Sequence, residues 1–106
     1  MKTILALIIA YTSLTANAQG IKAKDLYALL TGTPVEQTAG MTYVAGIIDA
    51  SPLVCPTKGA SLEQATLLVK NFLKRVPQLG DEPAGDLVQF ALNKPWPCAR
   101  GDKTNA

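Results

Sequence analysis

The chain has 106 residues and a formal net charge of +2, from 10 Lys and Arg residues against 8 Asp and Glu residues. The charges are spread without runs, which argues against a nucleic-acid surface, where Lys and Arg cluster. The chain contains no histidine, so the commonest general base and the commonest metal ligand are both missing. Composition therefore favours a small protein without metal, cofactor or nucleic-acid partner.

The N-terminal segment, residues 1–18, has the layout of a cleavable secretory signal. A basic start at Lys2 precedes an apolar stretch from Ile4 to Leu14 and a small-residue ending at Ala18. The apolar stretch falls well short of the ~20 residues that span a bilayer. We expect cleavage after Ala18, so that residues 19–106 form one domain exported to the periplasm, with no membrane contact; an uncleaved anchor is the alternative.

Two helices are predicted in the first half of this domain. Leu26 to Leu30 form the apolar part of a short helix that Gly32 ends. A longer helix runs from Pro34 to Ala50 with Thr33 as its cap, because proline suits the first helical turn.

The helix from Pro34 to Ala50 is apolar around most of its circumference. This pattern predicts a place at the centre of a helix bundle. There the small residues Gly40 and Gly46 would permit close packing of neighbouring helices. A strand over Thr42 to Ile48 is the alternative, but it lacks a period-two pattern.

The third predicted helix is the clearest amphipathic one. Ser61 is a strong N-cap before it, and Pro77 stops it. Apolar side chains, among them Leu68 and Phe72, recur on one face, which predicts that this face is buried. Leu67 alone lies among the polar residues of the other face, either as an isolated exposed leucine or as a contact for a partner.

The fourth predicted helix starts at Asp81-Glu82-Pro83, with an acidic cap and an early proline. Leu87, Val88 and Phe90 are among the apolar residues of one side, and Pro95 prevents the helix from continuing. The predicted fold is therefore all-α, a small domain of four to five helices.

Both cysteines, Cys55 and Cys98, belong to the exported part of the chain. A disulfide is the default in an oxidising compartment, and a pair of unpaired core thiols is the alternative. A bridge that closes a loop of about 44 residues would stabilise the domain by ~4 kcal/mol on the loop-entropy model.

The carboxylates offer no clear catalytic pair. Most of them fall at predicted helix starts, where capping explains them. Asp49 is the exception, because it lies near the end of the most apolar helix. We interpret it as an acid on the polar strip of that helix rather than as an active-site residue.

Several short segments follow one another in a fixed order between Thr42 and Cys98. They are Tyr43-Val44-Ala45-Gly46-Ile47-Ile48-Asp49, Val54-Cys55-Pro56, Ser61-Leu62-Glu63-Gln64, Phe72-Leu73, Pro83-Ala84 and Trp96-Pro97-Cys98. Their order and spacing resemble the Rap/Tai family, the small periplasmic immunity proteins of bacterial type VI secretion systems. The resemblance implies a helical domain that tends to form dimers and that inhibits a peptidoglycan amidase toxin by blocking its cleft.

The chain departs from the family pattern in its first third. Many members carry a further cysteine pair, and this sequence has Leu30 or Gly32 at the first of those positions and Gly40 or Met41 at the second. The resemblance therefore implies a domain with one bridge instead of two.

Blocking a cleft needs a projecting loop on a rigid frame. The two best-framed loops are Leu53–Ala60, which the predicted Cys55–Cys98 bridge would hold, and Gln78–Glu82, between two prolines. The predicted partner-binding residues are Lys58, Gly59, Leu67, Gln78, Leu79, Gly80 and Asp81. The rival functions are a small periplasmic stress chaperone, another secreted binding protein and a small secreted enzyme.

Overall fold

The computed structural model describes residues 21–99. The predicted secretory signal, residues 1–18, and the end of the polar tail, residues 100–106, lie outside the described residues. The helices are α1 (Ala23–Leu30), α2 (Pro34–Ala50), α3 (Leu62–Arg75) and α4 (Ala84–Asn93), with a 3-10 turn at Pro77–Leu79. No strand lies among the described residues, only two isolated β-bridges, so the predicted all-α class is confirmed.

Side-chain caps start α2 and α3 where the sequence predicts them. The Thr33 hydroxyl accepts the Glu36 N–H at 3.2 Å, and Glu36 Oε1 accepts the Thr33 N–H at 2.9 Å. At the start of α3, the Ser61 hydroxyl accepts the Gln64 N–H at 3.1 Å. These bonds satisfy N–H groups that have no partner inside the first turn of a helix.

Helix α2 is not enclosed at the centre of a bundle, and that prediction is wrong. Only Gly40 and Val44 of its 17 residues are buried, and Val35 is 80% exposed. The reason is length, because α1 has 8 residues and α4 has 10. At 1.5 Å per residue, such short neighbours cannot cover a helix of about 26 Å. The strand alternative is also wrong, since Thr42 to Ile48 are helical throughout.

A single hydrophobic core joins all four helices and two connecting segments. Its buried members are Ala23, Leu26, Leu30, Val44, Val54, Ala65, Val69, Leu73, Ala84, Leu87, Val88, Leu92 and Trp96. Val54 and Trp96 lie outside the helices, in the segments that carry the two cysteines. No helix among residues 21–99 is long and apolar enough to span a membrane.

The start of α4 differs from its predicted form. Pro83 is the N-cap residue and makes no side-chain cap, so Asp81 and Glu82 do not cap this helix. Instead, the Ala84 N–H donates to the Ile21 oxygen at 3.1 Å, and Lys22 pairs with Pro83 in an antiparallel bridge. The segment before α1 therefore holds this helix start in place of a cap from its own loop.

Candidate functional site

The loop between α2 and α3 is fixed at its base by side chains of α4. The Ser51 hydroxyl donates to Gln89 Oε1 at 2.7 Å and accepts the Leu53 N–H at 3.1 Å. Asn93 Nδ2 donates to the Leu53 oxygen at 2.7 Å. Gln89 and Asn93, two polar residues of α4, therefore anchor this loop.

The predicted disulfide is confirmed and holds the same loop from a second direction. Cys55 is bonded to Cys98, across 43 positions of sequence. Beside the bridge, the Cys55 N–H donates to the Trp96 oxygen at 2.9 Å, and Val54 forms an antiparallel bridge with Pro97. The buried side chains of Val54 and Trp96 tie this junction to the core.

The tip of the loop projects from this fixed base. The Ala60 N–H donates to the Thr57 oxygen at 3.0 Å and closes a turn around Lys58 and Gly59. Gly59 has a φ of 89°, which favours glycine, and a Cβ built there would meet nothing within 4 Å. Lys58 and Gly59 are both exposed, so this turn is free to meet a partner.

The second predicted loop, Gln78–Glu82, is bound to the start of α1. The Gly80 oxygen accepts the Lys24 N–H at 2.9 Å, and the Glu82 oxygen accepts the Ala23 N–H at 2.8 Å. These bonds satisfy two of the free N–H groups at a helix start. Gly80 is held close as well, because a Cβ there would lie 3.3 Å from the Lys24 Cβ.

Asp81 forms ion pairs with the same helix start. Its Oδ1 lies 3.0 Å from Lys24 Nζ and 3.9 Å from Lys22 Nζ. The hydrogen bond and the charge of Asp81 raise the pKa of Lys24, and the same contact lowers the pKa of Asp81. All three side chains are at least half exposed, so solvent weakens the pair. The clear role of Asp81 is local structure at α1.

The structure does not bring the predicted partner-binding residues together into one patch. The two loops lie at opposite ends of α3, a helix of 14 residues and therefore about 21 Å long. Leu67 lies between them, 52% exposed beside Met41 in a shallow pocket. Gln78 and Asp81 are exposed, whereas Leu79 packs against the core.

An apolar surface that the sequence placed in the core lies open between α3 and α4. We call it the aromatic groove; it has a volume of about 660 Å³, and its lining includes Leu68, Phe72, Arg75, Phe90 and Lys94. Phe90 is 70% exposed, and its ring centroid lies 5.6 Å from that of Phe72. The sequence signal was weak, since Phe90 was placed on the apolar side of α4 but lies one helical turn after Asp86, at the edge of that side.

The described residues contain no group of three or more His, Cys, Asp and Glu side chains that could hold a metal ion. Asp49 is exposed and borders a shallow pocket beside Pro56, as expected for an acid on the polar strip.

Burial raises the pKa of the Tyr43 hydroxyl, and a backbone hydrogen bond from Gly85 opposes that rise. Tyr43 therefore links α2 to the first turn of α4.

Fold and surface together define a class of protein: a small disulfide-bonded helical domain with framed loops and an open apolar groove. The chain matches the family model of the Rap1a immunity proteins over residues 22–98 and belongs to this family. The resemblance to the Rap/Tai immunity proteins is thereby confirmed. No curated protein and no solved structure matches the chain.

Proposed function

We propose that the chain is a periplasmic immunity protein that binds and inhibits a peptidoglycan amidase toxin delivered by type VI secretion. The observation that carries the proposal is membership of the Rap1a immunity family over residues 22–98, because an immunity protein acts through a toxin partner. The predicted secretory signal at residues 1–18 supports the compartment in which peptidoglycan lies. In this role the chain performs no chemistry of its own and acts by blocking the cleft of the toxin.

The turn around Lys58 and Gly59 is suited to enter a cleft. Its base is held by the Cys55–Cys98 bridge and by the bond from Asn93 to the Leu53 oxygen. A loop that is ordered before binding loses less conformational freedom in the complex, so more of the contact energy appears as affinity. The exposed Lys58 can then fill space at the toxin's active site and keep the peptidoglycan stem peptide out.

An inhibition assay tests the proposal. Purified oxidised protein is added in excess to a type VI peptidoglycan amidase from the same cells, and cleavage of peptidoglycan is expected to stop. Lys58→Glu should weaken inhibition about tenfold, as expected for an anchor at the centre of an interface. The control Val35→Glu, at a residue of α2 that is 80% exposed, should inhibit as the unchanged protein does. Undiminished cleavage at excess protein would sink the proposal for that toxin.

Two further parts of the proposal have direct tests. Export predicts that the protein is recovered from the periplasmic fraction with Gln19 as its first residue. The family resemblance also implies a homodimer, which sedimentation velocity measures. A protein recovered at full length in the cytoplasm would contradict the proposed compartment.

A further inference from the structure

We propose that the aromatic groove docks an acidic amphipathic segment of a partner protein. Apolar side chains of that segment would pack on Phe72 and Phe90, and its carboxylates would face Arg75 and Lys94. That the partner is the toxin rests on the proposed function, whereas the chemistry of the docked segment follows from the groove itself.

The aromatic groove exposes a pair of aromatic side chains. Phe90 is 70% exposed although its ring centroid lies 5.6 Å from that of Phe72, and the side chain of Leu68 is also exposed beside them. A groove of about 660 Å³ has room for several apolar side chains. Exposed aromatic residues that are held on rigid helices are the usual anchors of protein interfaces. An amphipathic segment that lays its apolar face in the groove would cover this surface.

The rim of the aromatic groove is positively charged. Arg75 and Lys94 line the groove, and Lys74 lies beside Arg75 in an adjoining shallow pocket. Neither Arg75 nor Lys94 forms an ion pair within residues 21–99. None of the described lining residues is acidic, and Asp86 lies one turn before Phe90, outside the lining. Such a rim favours carboxylates on the partner and disfavours Lys and Arg.

The same charges argue against a second copy of this chain as the occupant. A two-fold dimer brings the same patch of both copies together. A dimer centred on Phe90 would therefore place Arg75 and Lys94 of one copy against those of the other. Like charges across an interface cost binding energy, so the rim selects a different, acidic partner.

The groove adjoins the disulfide-anchored loop. Asn93 lines the groove and also donates its hydrogen bond to the Leu53 oxygen at the base of that loop. Leu53 itself is 53% exposed. One partner can therefore contact the turn at Lys58 and the groove together, with Asn93 at the junction.

The test uses two labelled helical peptides with the same leucine-rich face. One carries glutamates on its other face, and the second carries lysines in their place. Fluorescence polarisation with the purified oxidised protein should show saturable binding of the glutamate peptide, about tenfold tighter than that of the lysine peptide at low salt. Phe90→Ser should weaken binding about fivefold or more, and Arg75→Glu/Lys94→Glu should reverse the preference between the peptides.

Val35→Ser is the matched control, because Val35 is 80% exposed on α2 and outside the groove. It should bind the glutamate peptide as the unchanged protein does. Equal binding of both peptides, no saturable binding, or unchanged binding by Phe90→Ser would overturn the inference. If Phe90→Ser instead converted a dimer to a monomer in sedimentation, a second copy would be the occupant and the inference would also fail. The assay contains no amidase, so its outcome is independent of the inhibition assay.

Discussion

Gly40 of α2 lies against Leu30 of α1 so closely that no larger residue fits without a shift. A Cβ at position 40 would lie 2.7 Å from Leu30 Cδ2 and 3.3 Å from Leu29 Cβ. The close packing predicted at Gly40 is thus confirmed, whereas the same prediction for Gly46 is wrong, because a Cβ there would meet nothing within 4 Å. Leu30 and Gly40 are among the positions at which the family resemblance places the missing cysteine pair, Leu30 or Gly32 for the first half and Gly40 or Met41 for the second.

The two glycines should respond in opposite ways to alanine. Gly40→Ala should lower the free energy of unfolding by about 1–3 kcal/mol, because the methyl group must displace Leu30. Gly46→Ala should raise it by roughly 0.5–1 kcal/mol, because alanine restricts the unfolded chain and nothing opposes its methyl group. Urea unfolding of both variants measures this, and a loss of stability in Gly46→Ala as large as that in Gly40→Ala would contradict the packing.

A second disulfide should form at the same contact. In the variant Leu30→Cys/Gly40→Cys, the new sulfur at position 30 would stand near the present Leu30 Cγ. That Cγ lies 3.2 Å from a Cβ built at position 40. This separation suits a disulfide, in which the sulfur of one cysteine lies about 3 Å from the Cβ of the other, two bonds away across an S–S bond of ~2.04 Å. We expect intact mass after thiol alkylation to show no free thiol in the oxidised variant. Two alkylated thiols alongside an intact Cys55–Cys98 bridge would show that α1 and α2 are not placed as described.

The existing disulfide should supply a large share of stability. Cys55→Ser/Cys98→Ser should lower the free energy of unfolding by about 4 kcal/mol on the loop-entropy model. The double variant is chosen because it leaves no unpaired thiol. Because the bridge also holds the loop around Lys58, the variant should inhibit the amidase less well even where it remains folded. Urea unfolding and the inhibition assay report the two effects separately, and an unchanged urea midpoint would contradict the first.

The free energy of unfolding should fall in acid, because two carboxylates that stabilise the fold become protonated. Backbone and side-chain hydrogen bonds with Thr33 lower the pKa of Glu36, and the Lys24 contact lowers the pKa of Asp81. A group whose pKa is lower in the folded state stabilises the fold above its unfolded pKa. The contribution is therefore complete above about pH 5 and is lost as the pH falls below about 4.

The test compares urea midpoints at neutral pH and at about pH 3. Glu36→Gln/Asp81→Asn should show a smaller drop in midpoint between the two conditions than the unchanged chain, because its side chains no longer titrate. The effect is modest, since both groups are exposed and screened by solvent. Equal drops in both proteins would show that neither contact persists in solution.

The helices could be predicted because their start and stop signals are local. Thr33, Pro34 and Ser51 mark α2 within the sequence itself, and the bounds of that helix are as predicted. The disulfide followed from the predicted export and from the presence of just two cysteines. The family could be inferred from the order of short segments, since that order reflects packing along the whole domain.

The exposure of the aromatic groove could not be predicted, because it depends on how the neighbouring helices pack against one another. Phe90 was predicted on the apolar side of α4, but it lies one helical turn after the exposed Asp86, at the edge of that side. The position of Asp81 in the sequence is typical of a helix cap, but its carboxylate pairs with Lys24, which lies 57 positions earlier in the chain. Local patterns carry no information about such distant partners.

We propose that this chain acts by binding one peptidoglycan amidase. The most direct measurement is a pull-down with the purified oxidised protein from periplasmic and secreted extracts, with bound proteins identified by mass spectrometry. We predict that a single amidase is recovered in stoichiometric amount and is released by excess free protein. Recovery of many unrelated proteins without an amidase would contradict the claim and favour a chaperone instead.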